Sequence, residues 1–435
     1  WHGALILKLA GKSIALIERE LLGGTCTNYG CDAKILLDSP FELKEALDRY
    51  EGIGLNKKAD INWNNLMKYK KEVIGFMPTA MEGMFGELGF DILRGNAEFI
   101  DANTIKVGEE EYQADKFVIG TGQDYIPLDI KGKEHFHNSR DFLSLDEIPE
   151  HVTFVGAGII SMEFASICLA LGKKVDIVTS GKTALNAYPQ EYVNKIVDKM
   201  KSQGANFVWD AKVEAIEKNG DIYTLKGADG LSIDTDYILV AVGRKANVDG
   251  MNLEGIGVEY SDRGIVVDEH MRTNVKNIYA SGDVVDKKIP KLTPTAEFES
   301  NYIAMDILNP VNGAIKYPVI PNLVFTLPRI AQVGVTRKEA EKAPEKYRIE
   351  EMAFGEVMSW LNKAEKESHI TYIFDKKNHL VGAAVYSDDA GSYIDVLTLI
   401  INEKMGVKEL GKMIFAFPTP TYGLISTLIP LFLKK

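Results

Sequence analysis

The chain has 435 residues, beyond the size at which a single hydrophobic core stops growing, so two to four domains are expected. Its 46% hydrophobic and 26% charged residues, with 38 glycines, match a soluble α/β protein and exclude a disordered chain; no apolar stretch reaches the roughly 18 residues of a membrane span. A formal net charge of -12, with no Lys/Arg block interleaved with aromatics, argues against nucleic acid as a partner, and 3 cysteines are too few for a secreted disulfide framework.

In chain order, Gly11-Lys12-Ser13-Ile14-Ala15-Leu16-Ile17-Glu18 reads as a helix end followed by a buried parallel strand. Gly23-Gly24-Thr25-Cys26-Thr27-Asn28-Tyr29-Gly30-Cys31 comes next, and a hairpin signal at Asp101-Ala102-Asn103 leads to Phe117-Val118-Ile119-Gly120-Thr121-Gly122. The apolar strand Val152 to Val155 opens onto Gly156-Ala157-Gly158-Ile159-Ile160-Ser161 and a helix running to Leu171. That strand, glycine turn and helix present backbone amides suited to a dinucleotide pyrophosphate.

Gly172-Lys173-Lys174-Val175-Asp176-Ile177-Val178-Thr179 then repeats the pattern of Gly11 to Glu18, and a second hairpin signal, Asn219-Gly220-Asp221, leads to Ile238-Leu239-Val240-Ala241-Val242-Gly243. Two nucleotide-binding domains in series are expected. The spacing from Ser161 to Gly172, applied to Gly11, places the first fingerprint just before Trp1. The chain is therefore expected to begin inside a nucleotide-binding unit, without that unit's first strand and glycine loop. After Pro321 the texture becomes α+β, with strand-like Thr371 to Phe374 and Leu380 to Tyr386 and a helix-like stretch Gly391 to Lys404, which reads as a further domain.

A Cys-x4-Cys pair sets two sulfurs about one helical turn apart, close enough to bridge if the segment coils, and the second cysteine can sit at a helix N-terminus that favours thiolate. The competing reading is half a zinc site. Four soft ligands are wanted there, and the one remaining cysteine, Cys168, lies in an apolar helix, so a redox dithiol is favoured and no metal site is expected. With too few cysteines for a secreted framework, a cytoplasmic location is expected, and in an intracellular protein a closely spaced pair reads as catalytic redox or metal chemistry.

Further motifs fall in line: Val242-Gly243-Arg244, Tyr279-Ala280-Ser281-Gly282-Asp283, Leu292-Thr293-Pro294 and Ile320-Pro321-Asn322-Leu323-Val324-Phe325-Thr326. With the Cys-x4-Cys segment and the Gly156 turn, in this order and at this spacing, the chain resembles the pyridine nucleotide-disulfide oxidoreductases over essentially its whole length. This is the glutathione reductase and dihydrolipoamide dehydrogenase family. The resemblance implies an α/β fold with two Rossmann-like domains, for FAD and NAD(P), plus an α+β C-terminal dimerisation domain. The expected divisions are an FAD domain over 1–122, an NAD(P) domain over 123–250, a central domain over 251–320 completing the FAD site, and an interface domain over 321–435 joining a homodimer.

The resemblance also implies roles. Cys31 would face the flavin as the charge-transfer thiolate and Cys26 would exchange with substrate. Glu18 would accept from the ribose hydroxyls of the adenosine half of FAD, with Gly24, Thr25, Thr121 and Gly122 also along the cofactor. Gly282 and Asp283 would meet the ribityl and phosphate portion, and the amides around Leu292, Thr293 and Ala296 would line the isoalloxazine. Lys34 and Glu163 resemble the family's ion pair beside the flavin's reactive nitrogen. Gly156, Gly158 and Ser161 would cradle the pyridine nucleotide, and Gly243 and Arg244 would be cofactor-binding as well. Where a ribose-binding carboxylate would mark NADH, Thr179, Ser180 and Lys182 stand instead, which favours the 2'-phosphate of NADPH over NADH. Ile159 takes the place of a tyrosine gate found in some relatives.

Several departures narrow the function. Asp32 replaces the usual apolar residue after the second cysteine, and its charge disfavours a nearby thiolate unless it points to solvent or caps the helix. Relatives that reduce disulfides carry His-Pro-Thr-x-x-Glu near the C-terminus, where this chain reads Phe417-Pro418-Thr419-Pro420-Thr421-Tyr422. A positioned imidazole contributes about 100-fold to 10,000-fold to proton transfer, so efficient glutathione or lipoamide turnover should be impaired, with Tyr422 serving as an aromatic pocket wall. No cysteine follows Cys168, which removes the C-terminal redox or metal-binding pairs of thioredoxin and mercuric reductases. The Leu/Ile-rich tail Leu424 to Leu433 reads as a buried interface helix rather than a membrane anchor.

The expected activity is electron transfer from NAD(P)H through FAD to Cys26/Cys31 and on to a small-molecule or small-thiol acceptor, a quinone or a metal ion. The rivals are a diaphorase or oxidase-like flavoprotein with a regulatory disulfide, and a dimeric binding scaffold without catalysis.

Overall fold

The computed structural model describes residues 1–310 and 313–434. The chain divides into two compact units. The first comprises 1–34, 68–126 and 243–317, and the second 35–67, 127–242 and 318–435.

In the first unit the helix His2–Leu9 leads through the Gly11 turn to the strand Ala15–Glu18, which pairs in parallel with Asp91–Arg94, register Glu18 to Arg94. Short side chains let the first helix lie close to the helix Thr293–Leu308, and the Gly3 amide donates to Ser300 Oγ at 2.8 Å. The hairpin signal at 101–103 joins the strands Ala97–Asp101 and Thr104–Val107, extended by Glu110–Gln113 into an antiparallel sheet. Phe117–Ile119 pairs in parallel with Ile278–Ala280, and both strands end where glycine-containing turns begin. Phe99, Ile105, Ile119, Ile265, Ile278 and Val284 are among the apolar residues that close this unit's main core.

The second unit holds a four-stranded parallel sheet in the order Asn206–Val208, Lys174–Val178, His151–Val155, Tyr237–Val240. Val152 to Val155 and the strand Tyr237–Val240 are buried throughout, as expected of parallel strands covered on both faces. The helix Ile159–Ala170 follows the fingerprint turn, with Ser161 to Leu169 all buried. Here the fingerprint strand sits between the other two strands of its repeat. In the first unit the corresponding strands Ala15–Glu18 and Phe117–Ile119 belong to separate two-stranded sheets.

Beyond Pro321 the unit carries a five-stranded antiparallel sheet, ordered Asn322–Val324, Arg329–Gly334, Leu380–Ser387, His369–Asp375, Tyr347–Ala353. The helices Ala390–Asn402 and Pro420–Leu428 join its core with Trp360, Tyr372, Leu424, Ile425, Leu428 and Phe432. The tail is therefore packed on its own sheet. Arg329, buried in the same unit, bonds Asp38 Oδ2 at 2.7 Å and Glu42 Oε2 at 2.5 Å with its guanidinium over the Phe325 ring. No helix among the described residues is long and apolar enough to cross a membrane.

Candidate functional site

A six-residue helix and the start of an 18-residue one place the cysteines. Gly23 caps the helix Gly24–Tyr29 at φ 95°, a left-handed conformation that suits glycine, and a Cβ there would meet Thr27 Cβ at 2.9 Å. The buried Asn28 ties this turn down, donating from Nδ2 to Leu22 O and Gly24 O at 3.0 Å each. Gly30 breaks the chain direction, and the helix Cys31–Asp48 starts at the second cysteine. Cys31 thus lies at the end of a helix where unsatisfied amides favour negative charge, with Asp32 and Lys34 in the same first turn.

Both cysteines are unbridged thiols here, Cys26 half-buried and Cys31 exposed. Thr293, the first residue of the helix Thr293–Leu308, sets its hydroxyl 3.3 Å from Cys26 Sγ and 3.6 Å from Cys31 Sγ. The hydrogen bond from Cys26 holds the Cys31 thiol down at about 6, helped by Thr293 and Lys34 and opposed by burial and Asp32. The same hydrogen bond, with burial, pushes the Cys26 thiol far up, and Asp32 adds to the rise. The pair therefore shares one proton near neutrality, with the charge on Cys31.

The second cluster of the first unit surrounds the turn Gly282–Val284. Asp283 lies 4.0 Å from the Arg244 guanidinium, and Lys291 donates to the carbonyls of Asp283 at 2.8 Å and Arg263 at 2.9 Å. Beneath the turn, the Gly282 amide donates at 2.7 Å to the buried carboxylate of Glu299. Glu18 closes its strand, and its carboxylate accepts from the Glu20 amide at 2.8 Å. Thr121 donates to Asn247 O at 2.7 Å, beside Gly122. Leu292 caps the helix Thr293–Leu308; the Ala296 amide is taken by Leu292 O at 3.0 Å, so the open donors at this helix end come before it.

In the second unit, Gly156 has φ 106° and a Cβ on it would stand 2.5 Å from Ala241 O, so only glycine lets the fingerprint turn approach its neighbouring strand. Gly158 caps the helix, and the hydroxyl of the fully buried Ser161 has no hydrogen-bond partner among the described residues. Ser180 and Lys182 are exposed after the strand Lys174–Val178, where Thr179 Oγ1 accepts from the Gly181 amide at 3.2 Å. Glu163 is buried in the fingerprint helix and accepts from the Phe325 amide at 2.9 Å. Phe417 is 74% exposed and meets the Tyr422 ring edge-on at 4.9 Å.

Structure thus brings Cys26, Cys31 and Thr293 together, and Arg244 with Asp283. Asn28, Lys287, Lys291 and Glu299 escaped the sequence reading; only Asn28, a polar residue inside the cysteine loop, carried a local signal. The donor set suits FAD: carboxylates at Glu18 and Asp283 match sugar and ribityl hydroxyls, and the helix end at Thr293 matches a ring carbonyl. The Gly156 turn with the orphaned Ser161 hydroxyl suits a pyridine nucleotide pyrophosphate. Among the described residues no cluster of three or more His, Cys, Asp or Glu stands ready for a metal ion.

A family model described as pyridine nucleotide-disulphide oxidoreductase matches residues 1–300, and one for the dimerisation domain of the same family matches 320–423. The chain belongs to the pyridine nucleotide-disulphide oxidoreductase family, whose members are FAD-dependent enzymes with a pyridine nucleotide substrate; the matched dimerisation domain implies a homodimer. Mercuric reductase of Bacillus cereus is 28% identical over 421 residues, covering 94% of this chain, which spans 66% of that relative's length. Dihydrolipoyl dehydrogenase of Bacillus subtilis is 28% identical over 423 residues, covering 94% of this chain and 89% of the relative. The solved structure of the HOCl-induced flavoprotein disulfide reductase RclA from Escherichia coli superposes with a TM-score of 0.87 at 23% identity, covering 98% of this chain and 95% of that one, and so shares the fold.

Proposed function

We propose that the protein passes electrons from NADPH through FAD to Cys26/Cys31 and on to an acceptor that brings its own protons or needs none. The observation that carries this reading is the Thr293-linked cysteine pair with its charge on Cys31. The exposed Phe417 in place of an imidazole narrows the acceptor. Bound FAD would supply the two-electron step between the nicotinamide and the sulfurs. Two electrons and one proton then convert the Cys26–Cys31 disulfide to a Cys31 thiolate and a Cys26 thiol.

In this reading the domains run 1–122, 123–250, 251–320 and 321–435. Glu18, Gly24, Thr25, Thr121, Gly122, Gly282, Asp283, Leu292 and Thr293 hold FAD. Gly156, Gly158, Ser161, Ser180 and Lys182 hold NADPH, Gly243 and Arg244 are cofactor-binding residues, and Lys34 and Glu163 act beside the flavin. Small disulfides, quinones and metal ions are the acceptors to try; relatives named mercuric reductase and dihydrolipoyl dehydrogenase support the first and last of these.

Anaerobic NADPH titration of the flavin-loaded protein tests the relay. A long-wavelength thiolate-to-flavin band is expected in the wild type and absent in Cys31→Ser. A wild type without the band, reduced identically to the variant, would sink the proposal. Full turnover with quinone or oxygen in Cys26→Ser would instead favour the diaphorase reading. A colourless product that FAD cannot reconstitute would favour a scaffold.

A further inference from the structure

We propose that Thr293 is a positioning residue for the dithiol, its side-chain hydroxyl donating to whichever of Cys26 and Cys31 carries the negative charge. This rests on the reading of the pair as the redox relay and goes beyond it, because the sequence motif implicates the backbone of this segment and not its side chain.

The hydroxyl stands 3.3 Å from one sulfur and 3.6 Å from the other. It has one proton to donate and can rotate to give it to either sulfur, so it serves one charged sulfur at a time. A hydrogen bond to an ionised acceptor is roughly twice as strong as one to a neutral acceptor, so the hydroxyl follows the charge. The charged groups facing the pair act on it differently. Asp32 opposes charge on both, and Lys34 favours it on Cys31 alone. Thr293 is a neutral donor that reaches both.

Its placement is firm. Thr293 is β-branched, with a restricted χ1. It is followed by Pro294 at the start of a 16-residue helix, and two residues earlier Lys291 is pinned to two backbone carbonyls. With the charge on Cys31, the hydroxyl donates there and Cys26 keeps its proton. When Cys26 is to attack the acceptor, its proton passes to Cys31 and the hydroxyl turns to the newly charged Cys26. The pair's proton count and electron count are unchanged by this shift; when the acceptor is a disulfide, the first thiolate it releases takes the proton from Cys31 and the second leaves as thiolate or is protonated by solvent. An internal donor of this kind matters most in a chain with Phe417 where the family resemblance leads one to expect an imidazole.

The test uses the flavin-loaded full chain, reduced anaerobically with one equivalent of dithiothreitol, and follows the long-wavelength thiolate-to-flavin absorbance against pH. Iodoacetamide alkylation of Cys26, read by mass spectrometry, provides the companion measurement. The wild-type band should appear with a midpoint near about 6. Thr293→Val should move that midpoint up by about one pH unit and slow Cys26 alkylation several-fold, and Thr293→Ser should restore both. A valine profile that superimposes on the wild type in both measurements would overturn the proposal, as would a serine variant that behaves like valine. Undiminished turnover in Cys26→Ser would remove the relay reading instead, while the Thr293 shift is read without turnover.

Discussion

Glu299 and Lys287 form a buried ion pair, Oε1 to Nζ at 2.6 Å, with side chains 0% and 8% exposed. The Glu299 carboxylate also accepts from the Gly282 amide at 2.7 Å and the Tyr317 hydroxyl at 2.9 Å, so it joins the helix Thr293–Leu308 to the turn that carries Asp283. Removing one member of a buried pair strands the other. Glu299→Ala should therefore destabilise the protein by about 3–5 kcal/mol in urea unfolding and release FAD on gel filtration. The apolar double replacement Glu299→Leu with Lys287→Met should recover much of the stability but not the flavin retention, because the Gly282 amide has then lost its acceptor. Equal flavin retention in all three proteins would show that the pair does not support the turn.

Asp32 supplies a pH test. Its carboxylate lies in the first turn of the helix Cys31–Asp48 and raises both thiols, while Lys34 lowers Cys31. Cys31 is an acid whose ionisation lies near about 6, so its thiolate is present above that pH and lost as pH falls through it. Asp32→Asn should shift the acid limb of kcat/KM down by about 0.5–1 unit, and Lys34→Gln should shift it up by a similar amount. Shifts of the same sign in both variants would contradict the charge assignment.

How much of this could be read without coordinates depends on the range of each interaction. The Cys26/Cys31 loop, the Gly156 turn, the hairpin at 101–103 and the strands around Val152 and Leu380 are patterns within a few residues, and they fall where periodicity and glycine placement put them. Thr293 meets Cys31 across 262 positions of chain, and Glu299 becomes a buried ion-pair partner only when the helix Thr293–Leu308 packs beside the Gly282 turn. No local pattern distinguishes those residues from a capping threonine or a solvated helix carboxylate. Ala296 shows the converse, since its place in the motif is plain while its amide is spent within the helix.

Coenzyme choice is tested at Ser180. The residue is exposed just past the strand Lys174–Val178, where a carboxylate would accept from a ribose 2'-hydroxyl and repel a 2'-phosphate. With NADPH as the wild-type donor, Ser180→Glu should lower kcat/KM for NADPH by at least about tenfold, equivalent to about 1.4 kcal/mol, and raise it for NADH. Lys182→Gln should weaken NADPH by a smaller factor through KM. A wild type that prefers NADH, unchanged by either substitution, would remove the 2'-phosphate assignment.

Phe417 offers the most direct gain of function. Its ring is exposed and meets Tyr422 edge-on, in the segment where the family resemblance leads one to expect a histidine and its orienting glutamate. Because the position is open to solvent, a polar replacement leaves no cavity in the core. Phe417→His alone restores an imidazole without an orienting partner, so it should raise turnover of a small linear disulfide only a few-fold. Adding Tyr422→Glu should carry the gain to the order of 100-fold, the lower end of what a positioned acid/base contributes. The gain should follow a bell-shaped pH profile and should be small with a quinone, which needs no thiol leaving group protonated. Equal acceleration of disulfide and quinone would mean that the imidazole acts elsewhere than at sulfur exchange. No acceleration of either by the double variant would place the acceptor away from Phe417.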